Sequence, residues 1–234
     1  MTGRPVLPAR REGEVAMFGV WRCRLAALCG LLWLAPAGAV SPDARPAAVT
    51  ALPGDTGRVV RWVIERADHR GRPFAVVDKK SARIHVFEPS GVPVGAAPVL
   101  LGLAGGDSDT VRSIGARSVT SLLPAERITP AGRFDTEPGR NDKGEAIVWF
   151  QYDAALAIHR LRPAPAHERR PQRLASSDPG ERRITFGCVV VPVSFYEEVI
   201  MPTLGSRRGV VYVLPEEDPV ETLLRQADMA LRAP

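Results

Sequence analysis

The chain is poor in cysteine and in aromatic residues, with three Cys and 6% Phe, Trp and Tyr among its 234 residues. Two of the cysteines, Cys23 and Cys29, lie near the N-terminus, and Cys188 is the third. If the N-terminal segment is removed, the remaining chain cannot form an internal disulfide. The low aromatic content also offers no stacking platform of the kind that single-stranded nucleic acids use.

The net positive charge is small outside the N-terminal segment. The formal net charge is +5, but residues 1–39 contain five Arg against two Glu. The remainder is therefore close to neutral, and no nucleic-acid partner is predicted. The sequence shows no metal-ligand spacing, phosphate loop or nucleotide fingerprint, so we expect neither a metal nor a cofactor.

Residues 1–39 have the pattern of a signal peptide. Two arginines precede an apolar run from Leu25 to Ala35, which is too short to span a bilayer. Ala37 and Ala39 then form an A-x-A arrangement, so cleavage is expected after Ala39, and Met17 is the more conventional start. The pattern predicts export to the periplasm or cell wall without a permanent membrane anchor; a buried N-terminal helix is the alternative.

The following residues change from linker to helix to strand patterns. Residues 40–58 are rich in Pro, Ala and small polar residues, which predicts a linker. Residues 59–72 have apolar residues at helical spacing before a Gly, which predicts a short helix. Three β-rich runs, Phe74–Asp78, Arg83–Phe87 and Val92–Leu101, are then separated by turn sequences.

Residues 73–214 predict one mainly β domain with a few short helices. Strands are predicted in "EAIVWFQY", "AALAIHRL" and "RGVVYVLPE", and a strand edge and turn in "RITPAGRFDTEP". Ser194 and Glu197 have the spacing of a capping box, which predicts a short helix. Residues 162–182 form a charged, Pro-rich excursion, and residues 215–234 predict a helical tail.

Cys188 follows Gly187 at the end of a β-branched run, a setting that presents a side chain on a sharp turn. A cysteine nucleophile needs a base that forms its thiolate and donors that stabilise an oxyanion. All four histidines precede this cysteine: His69, His85, His159 and His167. This order excludes papain-like peptidases, in which the histidine follows the cysteine. A buried, unreactive Cys188 is the plain alternative.

Four segments occur in an order that is itself informative: the hairpin "VVDKKSARIHVFEPSGVPV", the turn "TPAGRF" from Thr129, the strand "AIHRL" with His159, and "TFGCV" from Thr185 to Val189. Together they resemble the catalytic domain of the L,D-transpeptidases, the YkuD-type family of peptidoglycan cross-linkers. The likeness covers about residues 73–214 and implies the family's mixed sandwich-like or barrel-like β fold.

The resemblance implies a reaction. Cys188 would form a thioester with a peptidoglycan stem tetrapeptide, release D-alanine and pass the acyl group to an amine. His159 would be the base, with Gly187 and the Cys188 amide at the oxyanion and Thr185 in support. Because stem peptides carry carboxylates, three basic side chains near these motifs are candidate carboxylate clamps, with a solvated surface charge as the alternative for each: Arg160, Arg182 and Arg183.

The sequence departs from the family pattern at two motif positions. Phe186 stands where the family has a second histidine, and Val190 stands where Arg or Asn is usual. Two alternatives therefore stay open. One is a sortase-like transpeptidase that uses Arg207 or Arg208; the other is a catalytically degenerate, secreted wall-binding protein.

Overall fold

The computed structural model describes residues 52–108 and 121–232. These residues belong to one compact unit that begins at Pro42. The predicted signal peptide (1–39) and most of the predicted linker (40–58) lie outside the described residues, as do residues 109–120.

Ten strands form the described part of the fold, numbered in chain order: β1 Phe74–Asp78, β2 Arg83–Phe87, β3 Pro93–Pro98, β4 Leu101–Gly102, β5 Gly132–Arg140, β6 Ala146–Gln151, β7 Leu156–Arg160, β8 Arg183–Thr185, β9 Val189–Val191 and β10 Gly209–Val213. Eight of them make one mixed sheet in the order β3-β2-β1-β10-β5-β6-β7-β9, and β4 pairs with β8. The β1–β10, β7–β9 and β4–β8 pairs are parallel, and the others are antiparallel.

The eight-stranded sheet is nearly closed into a barrel. Leu100 follows β3, at one edge of the sheet, and it bridges Val190 in β9, at the other edge. The two residues exchange backbone hydrogen bonds of 2.8 and 3.0 Å. Closure of this kind removes the exposed edges that would otherwise pair with other chains. The predicted fold class, mainly β and barrel-like with a few short helices, is confirmed.

Helices pack against both faces of the sheet. They are α1 Gly54–Arg66, α2 Arg170–Ala175, α3 Val193–Phe195 and α4 Val220–Arg232, and α3 runs on into a π-helical turn, Tyr196–Ile200. Val59, Val60 and Val63 of α1 pack with Val220 and Leu223 of α4 against Phe74 and Val76 of β1. Alternate residues of β1, Ala75 and Val77, face the main core instead, as the two-residue period of a strand requires.

Some boundaries differ from the sequence-based expectations. Helix α1 begins at Gly54, five residues before the predicted start at Val59, because the apolar stripe is extended by Thr56 and Gly57, which are also buried. The predicted run Val92–Leu101 is divided between β3 and β4, since the chain crosses from one sheet to the other at Leu100. Helix α3 follows Pro192 as its N-cap, without a side-chain cap from Ser194.

The segment predicted as a strand edge and turn contains β5, which is a long strand inside the sheet. It pairs with β10 through Gly132–Thr136 and with β6 through Glu137–Arg140. Pro138 therefore has a neighbouring strand on one side only, which is the position that a strand tolerates for a residue without an N–H group.

Candidate functional site

The turn between β8 and β9 carries Cys188 and requires glycine before it. Gly187 has φ +127°, a conformation that L side chains rarely adopt. A Cβ atom at this position would also lie 2.6 Å from the carbonyl oxygen of Ile128 and 2.8 Å from Leu156. Glycine thus lets the residues before "TPAGRF" pack directly against the turn, and Thr129 donates a 3.0 Å hydrogen bond to the Gly187 carbonyl.

Thr185 stabilises the same turn. Its hydroxyl donates to the Cys188 carbonyl at 2.7 Å and accepts from the Gly187 N–H at 3.1 Å. These bonds give Thr185 a supporting role through the backbone of the turn. Because the Gly187 N–H already donates to Thr185, the Cys188 N–H is the one of these two backbone donors that could still bond to an oxyanion.

The Cys188 side chain is a free, partly exposed thiol. Its S–H donates to the Ala155 carbonyl, with sulfur and oxygen 3.6 Å apart. Burial raises the thiol pKa, and the Ala157 amide and the charges of Arg162 and Arg170 offset this only in part. At neutral pH the resting side chain is therefore a thiol and not a thiolate, so a base must take its proton during the reaction.

His159 lies in β7, next to the strand that follows Cys188. The parallel register pairs His159 with Val190, two residues after Cys188. The ring Nδ1 is 2.8 Å from the backbone carbonyl of Arg160. Because a carbonyl only accepts, Nδ1 donates this bond and Nε2 keeps its lone pair in the neutral ring. The bond fixes both the ring's orientation and its tautomer.

The protonation state of His159 suits a base. Burial and the positive charges of Arg162 and Arg170 lower its pKa to about 4. The imidazole is therefore neutral at pH 7 and able to accept a proton. The same two arginines act on the pKa of Cys188, which shows that thiol and imidazole share one electrostatic environment.

The three arginines proposed as carboxylate binders have different surroundings. Arg182 is buried and donates to the backbone carbonyls of Ser176, Ser81 and Ala82. These bonds tie the 162–182 excursion to the turn before β2, so its surroundings favour a structural role.

Arg183 and Arg160 differ from each other in their surroundings. Arg183 pairs with Glu216 and donates to the Lys79 carbonyl at 3.1 Å, within a largely buried network. Arg160 is 41% exposed and makes only long ion pairs, 3.9 Å to Glu145 and 3.8 Å to Glu197. Of the three, only Arg160 has a guanidinium that could turn toward a ligand at little cost.

Two further arginines, missed by the sequence analysis, act on the site. Arg162 forms a 2.9 Å ion pair with Glu145, and Arg170 pairs with Glu168. Their proximity to the thiol depends on the excursion, whose Leu174 packs against Val190 and Leu100. The excursion thus covers Val190, where the resembled family has a polar residue, and contributes Arg170. A charged, Pro-rich stretch gives no signal for such an arrangement.

Phe186, at the position of the family's second histidine, has a defined partner. The Arg127 guanidinium lies 4.3 Å from the centre of the Phe186 ring. A cation over an aromatic face is stabilising, and the ring supplies no proton donor or acceptor.

The other three histidines lie outside β7 and the β8–β9 turn. His167 is exposed in the excursion, His69 is buried with Nε2 2.8 Å from the Pro89 carbonyl, and His85 lies in β2. Within residues 52–108 and 121–232, no group of three or more His, Cys, Asp or Glu side chains could hold a metal ion. In the same residues, no helix is long and apolar enough to cross a membrane.

Comparison with known proteins gives distant structural likenesses. No protein-family model and no curated protein matches the chain. The chain is similar to the L,D-transpeptidase (residues 123–326) from Xylanimonas cellulosilytica, with 15% identity and a TM-score of 0.36 over 61% of this chain and 60% of that chain. It is similar to the catalytic domain of the E. faecium L,D-transpeptidase, with 17% identity and a TM-score of 0.35 over 62% of this chain and 98% of that one.

A third likeness is to the L,D-transpeptidase from Mycobacterium smegmatis, at 14% identity and a TM-score of 0.34, over 61% of this chain and 58% of that one. The chain thus spans less than two thirds of the Xylanimonas and Mycobacterium chains.

Proposed function

We propose that Cys188 is an acyl-transfer nucleophile and that His159 is its base. The observation that carries this proposal is the hydrogen bond from His159 Nδ1 to the Arg160 carbonyl. It holds a neutral imidazole, with Nε2 free to accept a proton, on the strand beside a free cysteine. Nucleophile, base and a third group that orients the base form the arrangement expected of a cysteine acyltransferase.

The chemistry has two steps. Cys188 Sγ attacks the carbonyl of an amide while His159 Nε2 takes the thiol proton, and the carbon–nitrogen bond then breaks. The protonated imidazole gives this proton to the leaving amine, and the acyl group stays on sulfur as a thioester. An incoming amine then attacks the thioester, and the thiol is restored. Because the Cys188 thiol and the His159 imidazole are both neutral at rest, the charges of the oxyanion and the imidazolium develop only during the attack. The Cys188 N–H is the candidate donor to that oxyanion.

We propose peptidoglycan stem tetrapeptides as the acyl donor, with D-alanine as the leaving group. Support comes from the order of the hairpin, the "TPAGRF" turn, the strand histidine and the Gly-Cys turn, and from the export pattern of residues 1–39. In the structure, the "TPAGRF" segment contacts the Gly-Cys turn through Thr129 and Gly187. Activity in the periplasm or cell wall is part of the same proposal.

Binding of the donor carboxylate is assigned to Arg160, and Arg162 and Arg170, which are already paired with Glu145 and Glu168, add positive charge near the site. The latter two act electrostatically on Cys188 and His159, and Arg160 is the most exposed of the predicted carboxylate binders. Guanidinium groups suit planar carboxylates, with which they form two parallel hydrogen bonds.

Digestion of purified stem tetrapeptide monomers and dimers, followed by mass spectrometry, tests this function. The parent protein should release D-alanine and form a new amide, and Cys188→Ser should do neither. His167→Ala is the matched control, because this exposed histidine lies in the excursion. Absence of D-alanine release by the parent protein would favour the degenerate wall-binding alternative.

The structure offers the sortase alternative no particular support. Arg207 and Arg208 are exposed and pair with Glu88 and Glu137. A sorting-motif peptide used as donor in the same digestion separates the two chemistries.

A further inference from the structure

We propose that a groove between β5 and β6 binds an uncharged glycan strand. The groove has a volume of about 330 Å³, and Trp149, Tyr152, Pro138 and Gly139 are among the residues that line it. That this glycan is the strand that carries the stem peptide rests on the function proposed above. That the groove binds a sugar chain does not depend on that function.

Two aromatic rings are among the side chains that line the groove. Trp149 and Tyr152 meet edge to face, with centroids 5.1 Å apart and ring planes at 72°. Tyr152 is 74% exposed, which is unusual for a large aromatic side chain that packs against another. An exposed aromatic face beside a polar tip is common where a ligand supplies the missing contact.

Gly139 allows the indole of Trp149 to lie across the backbone of β5. A Cβ atom at Gly139 would be 2.6 Å from two atoms of that ring. At Gly139 the opposing strand therefore has no side chain that would push the indole away. The register pairs Trp149 with Glu137 on this side and with Ala157 of β7 on the other.

The groove is connected to the thiol by a single turn of chain. The Ala155 N–H donates to the Tyr152 carbonyl at 2.9 Å, and the Ala155 carbonyl accepts from the Cys188 thiol. One end of this turn thus carries the exposed ring, and its other end contacts the nucleophile. A sugar on Tyr152 would therefore contact the same turn of chain that accepts the hydrogen bond from the Cys188 thiol.

The charge at the groove favours an uncharged ligand. Asp135 pairs with Arg72 at 2.7 Å and with Arg133 at 3.2 Å, and Glu137 pairs with Arg208 at 2.7 Å. Each carboxylate already has a cationic partner, so the rim presents fixed donors and acceptors and no unpaired charge. Such a rim complements hydroxyl and acetamido groups better than an ammonium or a carboxylate.

A pyranose chain matches this combination of surfaces. One face of a pyranose ring presents C–H groups, which pack on an aromatic ring, and its edge presents hydroxyl groups, which bond to paired polar side chains. A peptide would leave the exposed Tyr152 face without a comparable flat partner. The geometry therefore points to a polysaccharide as the occupant.

Calorimetric titration with chitohexaose, an uncharged β-linked N-acetylglucosamine oligomer, tests the inference. The full chain with Cys188→Ala is used, so that no acyl transfer contributes heat. We expect saturable binding, about tenfold weaker in Tyr152→Ala because one ring contact is lost, and largely retained in Tyr152→Phe. Met229→Ala removes an equally exposed apolar side chain from α4, at 72% exposure, and should bind like the Cys188→Ala parent.

The titration separates this inference from the proposed function. The probe carries no peptide and the protein carries no thiol, so binding does not depend on transpeptidase chemistry. No saturable binding, or equal affinity in Tyr152→Ala and its parent, overturns the glycan site even if D-alanine is released in the digestion. If Tyr152→Ala fails to fold, Trp149→Phe replaces it, and undiminished affinity in that variant overturns the proposal in the same way.

Discussion

His159 donates from Nδ1 to the backbone carbonyl of Arg160, its neighbour in β7, at 2.8 Å. A backbone carbonyl takes the place that a carboxylate side chain has in many catalytic triads. A carbonyl orients the ring as a carboxylate does, but it adds no negative charge. The His159 pKa accordingly stays low, at about 4, under the influence of burial and Arg162.

Replacement of His159 by Ala should change the pH dependence of acylation as well as its rate. At pH 7 we expect a loss of at least about 100-fold, because no base takes the thiol proton. Below the raised thiol pKa, the rate of the variant should rise about tenfold per pH unit as hydroxide supplies the thiolate. The parent should lose activity as the pH falls through about 4, where His159 becomes protonated.

Stopped-flow or quenched mass measurements of acylation between about pH 3 and pH 10 give both profiles. His167→Ala is the control and should follow the parent. An acylation rate in His159→Ala equal to that of the parent at pH 7 would remove His159 from the mechanism.

Phe186→His restores the histidine of the resembled family and should keep or raise the rate of acylation. The ring is partly exposed, so the turn can accept a polar replacement. The contact with Arg127 weakens, which should cost about 0.5–1 kcal/mol of stability. Phe186→Leu removes the ring without adding a nitrogen and separates the two effects; a large rate loss in the His variant alone would contradict this expectation.

Arg182→Met should destabilise the domain, whereas Arg160→Met should change stability little. The first leaves the carbonyls of Ser176, Ser81 and Ala82 without a buried donor, at a cost of about 3 kcal/mol. The second removes an exposed side chain with long ion pairs. Urea unfolding of both variants measures the difference, and equal midpoints would contradict the structural role of Arg182.

Asp107 should make the stability of the domain sensitive to acid. Burial alone would raise its pKa, but hydrogen bonds from Lys79 and from the amides of residues 216–218 lower it to about 2, from 3.8. A depressed pKa stabilises the folded state above pH 3.8, and this contribution is lost as the pH falls through about 2.

Asp107→Asn should cost about 1–3 kcal/mol at neutral pH. It should also flatten the fall in urea midpoint between pH 4 and 2. If Asp107→Asn lowers the stability at neutral pH but leaves its acid dependence unchanged, then Asp107 stabilises the domain through its shape and not through its charge.

Much of the sheet could be predicted from the sequence, because strand periodicity is a local property. Strands β1 and β2 have the bounds that their alternation predicts. The sequence predicts too short a strand at β5, because Gly132 and Pro138 are ordinary turn residues. The change of partner strand from β10 to β6 at Glu137 explains how Pro138 fits within the strand. The closure of the sheet by Leu100 and Val190 is non-local and has no sequence signal.

The candidate site divides in the same way. Motif order predicts Cys188 and His159 as a pair, and the structure describes His159 in β7 and Cys188 on the turn that leads into the neighbouring β9. The electrostatic effect of Arg162 and Arg170 depends on how the excursion packs through Leu174, which no local pattern predicts. The low aromatic content also hid the Trp149–Tyr152 pair, because a stacking platform needs two rings in one place and not many along the chain.

The most direct test of the account is the mass of the protein after incubation with a penem, whose strained β-lactam imitates an acyl-D-alanine end. The native protein should gain the mass of one drug molecule, on Cys188, and Cys188→Ser should gain none. A native thiol that stays unmodified and reacts with a small electrophile only after denaturation would contradict the account, because Cys188 would then be a buried structural residue.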